Sequence, residues 1–158
     1  MKNVLLAISL ACACGASSSG ARDTLYKAPP ATLLSTAKSV TEAEHYKIVK
    51  LDEGANHLET EAIWFTPDGQ TDSTTGNNVS RLQNDSINIA FAIDVKPAAD
   101  AARVIVTPAI HRMHGLSSLP ESVELEDPSL PGWVAGRTHA LQTKIHDALA
   151  PYATSAAK

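Results

Sequence analysis

Beyond residue 14 the chain contains no cysteine, so no disulfide can hold its folded part together. It must fold by burying apolar surface. Aromatic residues are also scarce, at 4% of 158 positions, and alanine swells the 44% hydrophobic share, which suits one modest core and not two. A basic excess is missing as well. With 13 Lys and Arg against 17 Asp and Glu, the formal charge is -4, leaving little to neutralise a phosphate backbone and arguing against a nucleic-acid partner. No apolar run reaches the roughly 20 residues of a membrane-crossing helix. Nine prolines and eight glycines are too few to place the whole chain in the disordered class.

Sequence patterns of reaction chemistry are equally sparse. There is no Gly-x-Ser-x-Gly elbow to present a nucleophile, and Gly132-x-x-x-Gly136 lacks the Lys-Ser/Thr that completes a phosphate loop. His139 and His146 share a helix face seven residues apart, whereas a zinc-protease site needs His-Glu-x-x-His. His111 and His114 form the tightest histidine pair, but residues three apart on a strand point to opposite faces, and no cysteine or carboxylate nearby completes a metal shell. They read as surface histidines. Asp52, Glu53, Glu59 and Glu61 read as the solvated face of a first hairpin instead of an acid/base pair. No catalytic residue, cofactor or metal is expected, and the chain is read as a non-enzyme.

What is present begins at the amino end. Lys2 precedes an uncharged apolar run, Val4 to Ala11, with the build of a signal peptide's n- and h-regions. Both cysteines, Cys12 and Cys14, close that run. Leu10-Ala11-Cys12-Ala13-Cys14 resembles the lipobox of bacterial envelope lipoproteins, where small residues precede the cysteine that is acylated and becomes the mature amino terminus. Cys14, preceded by Ala13, is the first choice of lipidation site and Cys12 the alternative. The resemblance implies a lipid (palmitate-type) anchor, no spanning helix, and a domain displayed in the periplasm. By the sorting rule of enteric bacteria, Gly15 after the cysteine implies the outer membrane. An ordinary secretory signal is the other reading of the same run.

Residues 1–13 are thus read as signal peptide, 14–28 as lipidated cysteine and flexible tether (GASSSGAR is small and polar), 29–152 as one domain and 153–158 as a frayed tail. Within the domain, a proline-led helix is expected over Pro30 to Glu44, then strands over Tyr46 to Leu51 and Leu58 to Phe65. Thr66 to Asp85 reads as a long loop. Ile87, Ile89, Phe91, Ile93 and Val95 alternate with small or polar residues, marking a strand covered on one side. A fourth strand runs from Arg103 to Met113, and Pro108 requires it to be an edge or to bulge. Leu116 to Pro131 is irregular, and a last helix spans Trp133 to Ala150. The order α-β-β-β-β-α predicts an α+β two-layer sandwich, a four-stranded antiparallel sheet with two helices on one face.

The stretch APPATLLSTAKSVTEAEHYKIVKLDEGANHLETEAIWF, a proline-led helix, a short strand, an Asp-x-Gly turn and a second strand, is similar to the helix-grip domains of small BamC-like envelope lipoproteins. That resemblance implies helices packed on one sheet and brings no site residues. The function expected is a membrane-anchored accessory that binds another envelope protein. Its contact surface is expected on the fourth strand and following loop, with Arg103, Ile110, His111, Arg112 and His114 as contacts. The alternative is a small ligand or metal held between sheet and helices, with Trp64 or Trp133 at the mouth.

Overall fold

A computed structural model describes residues 24–72, 82–115 and 119–154. The chain forms α1 (Pro30–Ala43), β1 (Ile48–Asp52), β2 (His57–Thr60), β3 (Ile63–Phe65), β4 (Ile87–Ala98), β5 (Ala101–Arg112), β6 (Glu121–Val123) and α2 (Gly132–Leu149), closed by a single 3-10 turn, Ala150–Tyr152. All strands join one antiparallel sheet ordered β1-β2-β4-β5-β6, with β3 on the same side of β4 as β2.

The alternating strand is the centre of the molecule. Ile87, Ile89, Phe91, Ile93 and Val95 of β4 are all buried and pack against the inner stripes of both helices, which lie side by side on that face. On α1 the stripe is Leu33, Leu34, Ala37 and Thr41; on α2 it is Val134, Thr138, Leu141, Ile145 and Leu149. Each stripe contains one buried threonine, whose hydroxyl donates one turn back, Thr41 to the Ala37 carbonyl at 2.7 Å and Thr138 to that of Val134 at 3.2 Å. Neither leaves a polar group unmet.

The α+β class is as expected, but the sheet has more pieces than four. The single strand expected over Leu58 to Phe65 is two, because Glu61 and Ala62 leave the ladder: β2 pairs with Ala92 to Asp94 of β4, and β3 with Ile87 to Ile89. The break leaves the Phe91 N–H without a strand partner, and the buried Thr60 hydroxyl accepts it at 2.9 Å. The irregular stretch after Leu116 contains β6, too short for any period to show. The described end of the segment read as tether, residues 24–28, and the first two residues of the tail read as frayed, 153–154, also join the fold. Tyr26 is 2% exposed and pairs with both Ala102 and Ala153, while Thr154 donates to the Leu25 carbonyl at 2.8 Å. Alternation over so few residues gives no sequence signal.

Pro108 sits opposite Phe91 in an unbroken register from Ile87↔Arg112 to Ala98↔Ala101. There is no bulge. Since the Phe91 N–H turns toward Thr60, this is a non-hydrogen-bonded pair, and the proline nitrogen points away from β4, where a donor would serve only an outer strand.

Replacing Thr60 with valine keeps the shape and removes the acceptor for a buried N–H. We expect a loss of about 1–3 kcal/mol in urea unfolding, and near wild-type stability for Thr60→Ser. Equal stability of Thr60→Val and wild type would show that the Phe91 N–H is satisfied some other way.

Candidate functional site

Along β5 the backbone groups of alternate residues face away from β4. Ala102 shows the phase: it exchanges both hydrogen bonds with Tyr26, at 2.8 and 2.9 Å. At the other end, β6 covers Ile110 to Arg112. Between these two caps, Val104, Val106 and Pro108 direct their outward groups into a groove of about 390 Å³ between the sheet edge and α2. Gln142 reaches across from α2 to donate to the Val106 carbonyl at 3.2 Å. Among the described residues, the Val104 N–H and C=O and the Val106 N–H meet no protein group.

The groove's floor is apolar and its ends are polar. Ile145 and Val123 are buried beneath it, with Leu125 half-buried alongside. At the Ala102 end, the Tyr26 hydroxyl lies 2.5 Å from His146 Nδ1. Burial, followed by the charge of Asp147, pushes the Tyr26 hydroxyl up to about 12, so the phenol keeps its proton in this contact. Arg103 lines the same end, and Glu124 and Glu126 line the wall that continues from β6. All three are exposed, and among the described residues none forms an ion pair.

Of the residues expected as contacts, Arg103 alone lines this groove. Ile110 does not serve: at 2% exposure it belongs to the core, opposite Val123, so it is a packing residue. Arg112 is half-buried, its Nη1 donating to Ser129 Oγ at 2.9 Å. His111 lies on the opposite sheet face, paired with Ser122. His114 is held by Glu121 at 2.9 Å and Asp85 at 3.7 Å. Cys14 and Cys12 lie outside the described residues. Neither tryptophan stands at the mouth. Trp64 pairs with Asn88, and Trp133 anchors the chain after β3, donating to the Pro67 carbonyl at 3.0 Å and packing on Phe65 at 5.4 Å between ring centres. Gly69, at φ 86°, lies flat on that indole, where a Cβ would come within 3.0 Å of the ring.

Among the described residues, no three His, Cys, Asp or Glu side chains converge to hold a metal ion, and no helix is long and apolar enough to cross a membrane. The chain matches no known family model and no curated protein sequence. Tyr26 and Gln142 had no mark in the sequence, and His146 stood out there only beside His139; Tyr26 and His146 are separated by 120 positions and meet only through the fold.

The open face of the sheet holds a separate polar cluster, where Glu59 and Glu61 of the first hairpin are ion-paired. His57 bonds Glu59 at 2.8 Å and Asp94 at 2.9 Å, while Lys50 bonds Glu59 at 2.7 Å and Lys47 pairs with Glu61 at 3.1 Å. The bond to Glu59, then that to Asp94, raises the His57 pKa above its ordinary 6.5. The folded protein therefore holds this proton more tightly than the unfolded chain, and the resulting stability is complete below pH 6.5 and fades as pH rises through the raised value. The Tm gap between wild type and His57→Gln should be widest below pH 6.5 and close above it. A gap that is constant or widens with pH would contradict the cluster's role.

Proposed function

We propose that this chain is a non-enzymatic lipoprotein of the bacterial envelope, anchored through Cys14 (alternatively Cys12) to the outer membrane and facing the periplasm, where its domain captures another envelope protein at the β5 groove. One observation carries the reading. The longest strand pair of the sheet ends on a row of backbone groups that, among the described residues, are unpaired, bordered by an apolar floor and by charges likewise without ionic partners there, and sheet edges left this way attract a further chain. Gly15 to Arg22, GASSSGAR, is small and polar, a composition that lets an anchored domain reach a partner. The contact surface differs from the one expected from sequence in keeping Arg103, leaving out Ile110, His111, Arg112 and His114, and moving toward Arg103 to Pro108.

A second reading has the groove hold a small apolar ligand, since about 390 Å³ lies within the usual range of ligand sites. The two readings separate by who leaves a mark on the groove. A photo-crosslinking residue at Glu126, in the full chain in its own membrane, should label one envelope protein, whereas the same residue at Glu53 in the β1–β2 turn should not. Gln142→Trp fills the groove from α2 and should abolish that label with circular dichroism unchanged. Mass spectrometry of the mature amino terminus should show an acylated cysteine, lost with membrane retention when Cys12 and Cys14 are both alanine. Labelling that survives Gln142→Trp, or retention that survives the double change, would refute the corresponding half of the proposal.

A further inference from the structure

Resting on the reading of the groove as a partner site, we infer that its ligand is a short extended peptide segment that runs antiparallel to β5, with a basic side chain in its amino-terminal half and an acidic one, or a free carboxylate, in its carboxy-terminal half. The direction follows from the row it completes. Both neighbours of β5 on that side, the segment at Tyr26 and β6, are antiparallel to it, and the open stretch lies between them in the same row. The donors and acceptors follow the same pattern. A ligand residue opposite Val104 exchanges two hydrogen bonds, as Tyr26 does with Ala102. One opposite Val106 receives the free N–H and takes the carbonyl from Gln142, whose amide swings aside. One opposite Pro108 donates to its carbonyl and receives nothing, because proline has no N–H. With a period of two, three such residues make a segment of about five.

Side chains at those three positions share the face of Val104 and Val106, toward the floor at Ile145 and Leu125, and the groove's volume limits them to small or medium apolar groups. The charges set the ends. An antiparallel ligand enters beside β6, where Glu124 and Glu126 lack ionic partners among the described residues, and leaves beside Tyr26, where Arg103 lacks one. A parallel ligand meets the same charges in the reverse order. Opposite charges at the two ends thus favour one direction and penalise the other.

The test uses the full chain purified in detergent and fluorescent decapeptide libraries in which one position at a time is fixed. Binding should favour Lys or Arg in the amino-terminal half, and the Glu124→Lys/Glu126→Lys protein should switch that preference to Asp or Glu. Backbone N-methylation of the best peptide, one residue at a time, should weaken binding roughly five- to tenfold at alternate residues and little at those between, the loss of one main-chain hydrogen bond each. Val106→Pro should weaken it by a similar factor with the melting temperature retained, since Pro108 already occupies the same kind of outward position. Indifference to N-methylation, a basic preference in the wrong half, or a preference unmoved by charge reversal overturns the inference. If no peptide binds while Gln142→Trp still abolishes the envelope crosslink, the groove takes a folded partner and only this inference falls. If Gln142→Trp leaves the crosslink intact, the reading of the groove falls with it.

Discussion

The twelve-residue register between β4 and β5 fixes everything else in this fold. One face of β4 carries all five apolar side chains, so the pairing decides which face of β5 joins the core and, by alternation, which of its backbone groups turn outward. A slip by one residue would turn Ile110 and Val104 to the open face and bring the Pro108 nitrogen against β4, removing a ladder bond. Burial and proline chemistry therefore select the same register. The hairpin closes tightly at Ala99, which adopts φ 54°, a conformation that costs an alanine about 1–2 kcal/mol and is held by the length of the ladder behind it.

The edge left by this register is guarded at its ends and, among the described residues, open in its middle. Tyr26 and β6 cap four residues of β5 between them, and Gln142 occupies one carbonyl. Natural sheets blunt their edges with prolines, charges and short covering strands, and all three are present here. What remains exposed is short enough to avoid pairing with long strands indiscriminately, yet it offers a partner both hydrogen bonds and an apolar floor. The Tyr26–His146 contact ties the entry segment to α2 and keeps that end of the groove in place.

Much of the fold was legible because its signals are periodic. The alternation from Ile87 to Val95 and the stripes of both helices appear in the sequence as they do in the structure, whereas Pro108, which implied an edge or a bulge, sits without a bulge in a strand flanked by β6 and is uncovered only on its own outward side among the described residues. The pieces that escaped are those too short to repeat: β6 is three residues, the Tyr26 bridge is one, and the split at Glu61 shows only through the N–H it strands at Phe91. The site was legible in part. A strand edge can be inferred from a proline, and Arg103 lines the groove beside it, but which even-numbered residue is core and which is rim depends on what covers it, and β6 covers Ile110. The groove's other members come from Tyr26, the turn after β6 and α2, distant positions with no shared motif.

The claim on which the account stands is that the outward backbone row of β5 is open between its two caps. Residue-resolved amide hydrogen exchange by NMR tests it directly. Inward-facing N–H groups of Ile105 and Thr107, bonded to β4, should exchange slowly, while those of Val104 and Val106 in the same strand exchange faster by orders of magnitude, a two-residue alternation that stops at Ile110 under β6. Uniform protection from Ala102 to Arg112 would show that the row is already filled and would contradict the account.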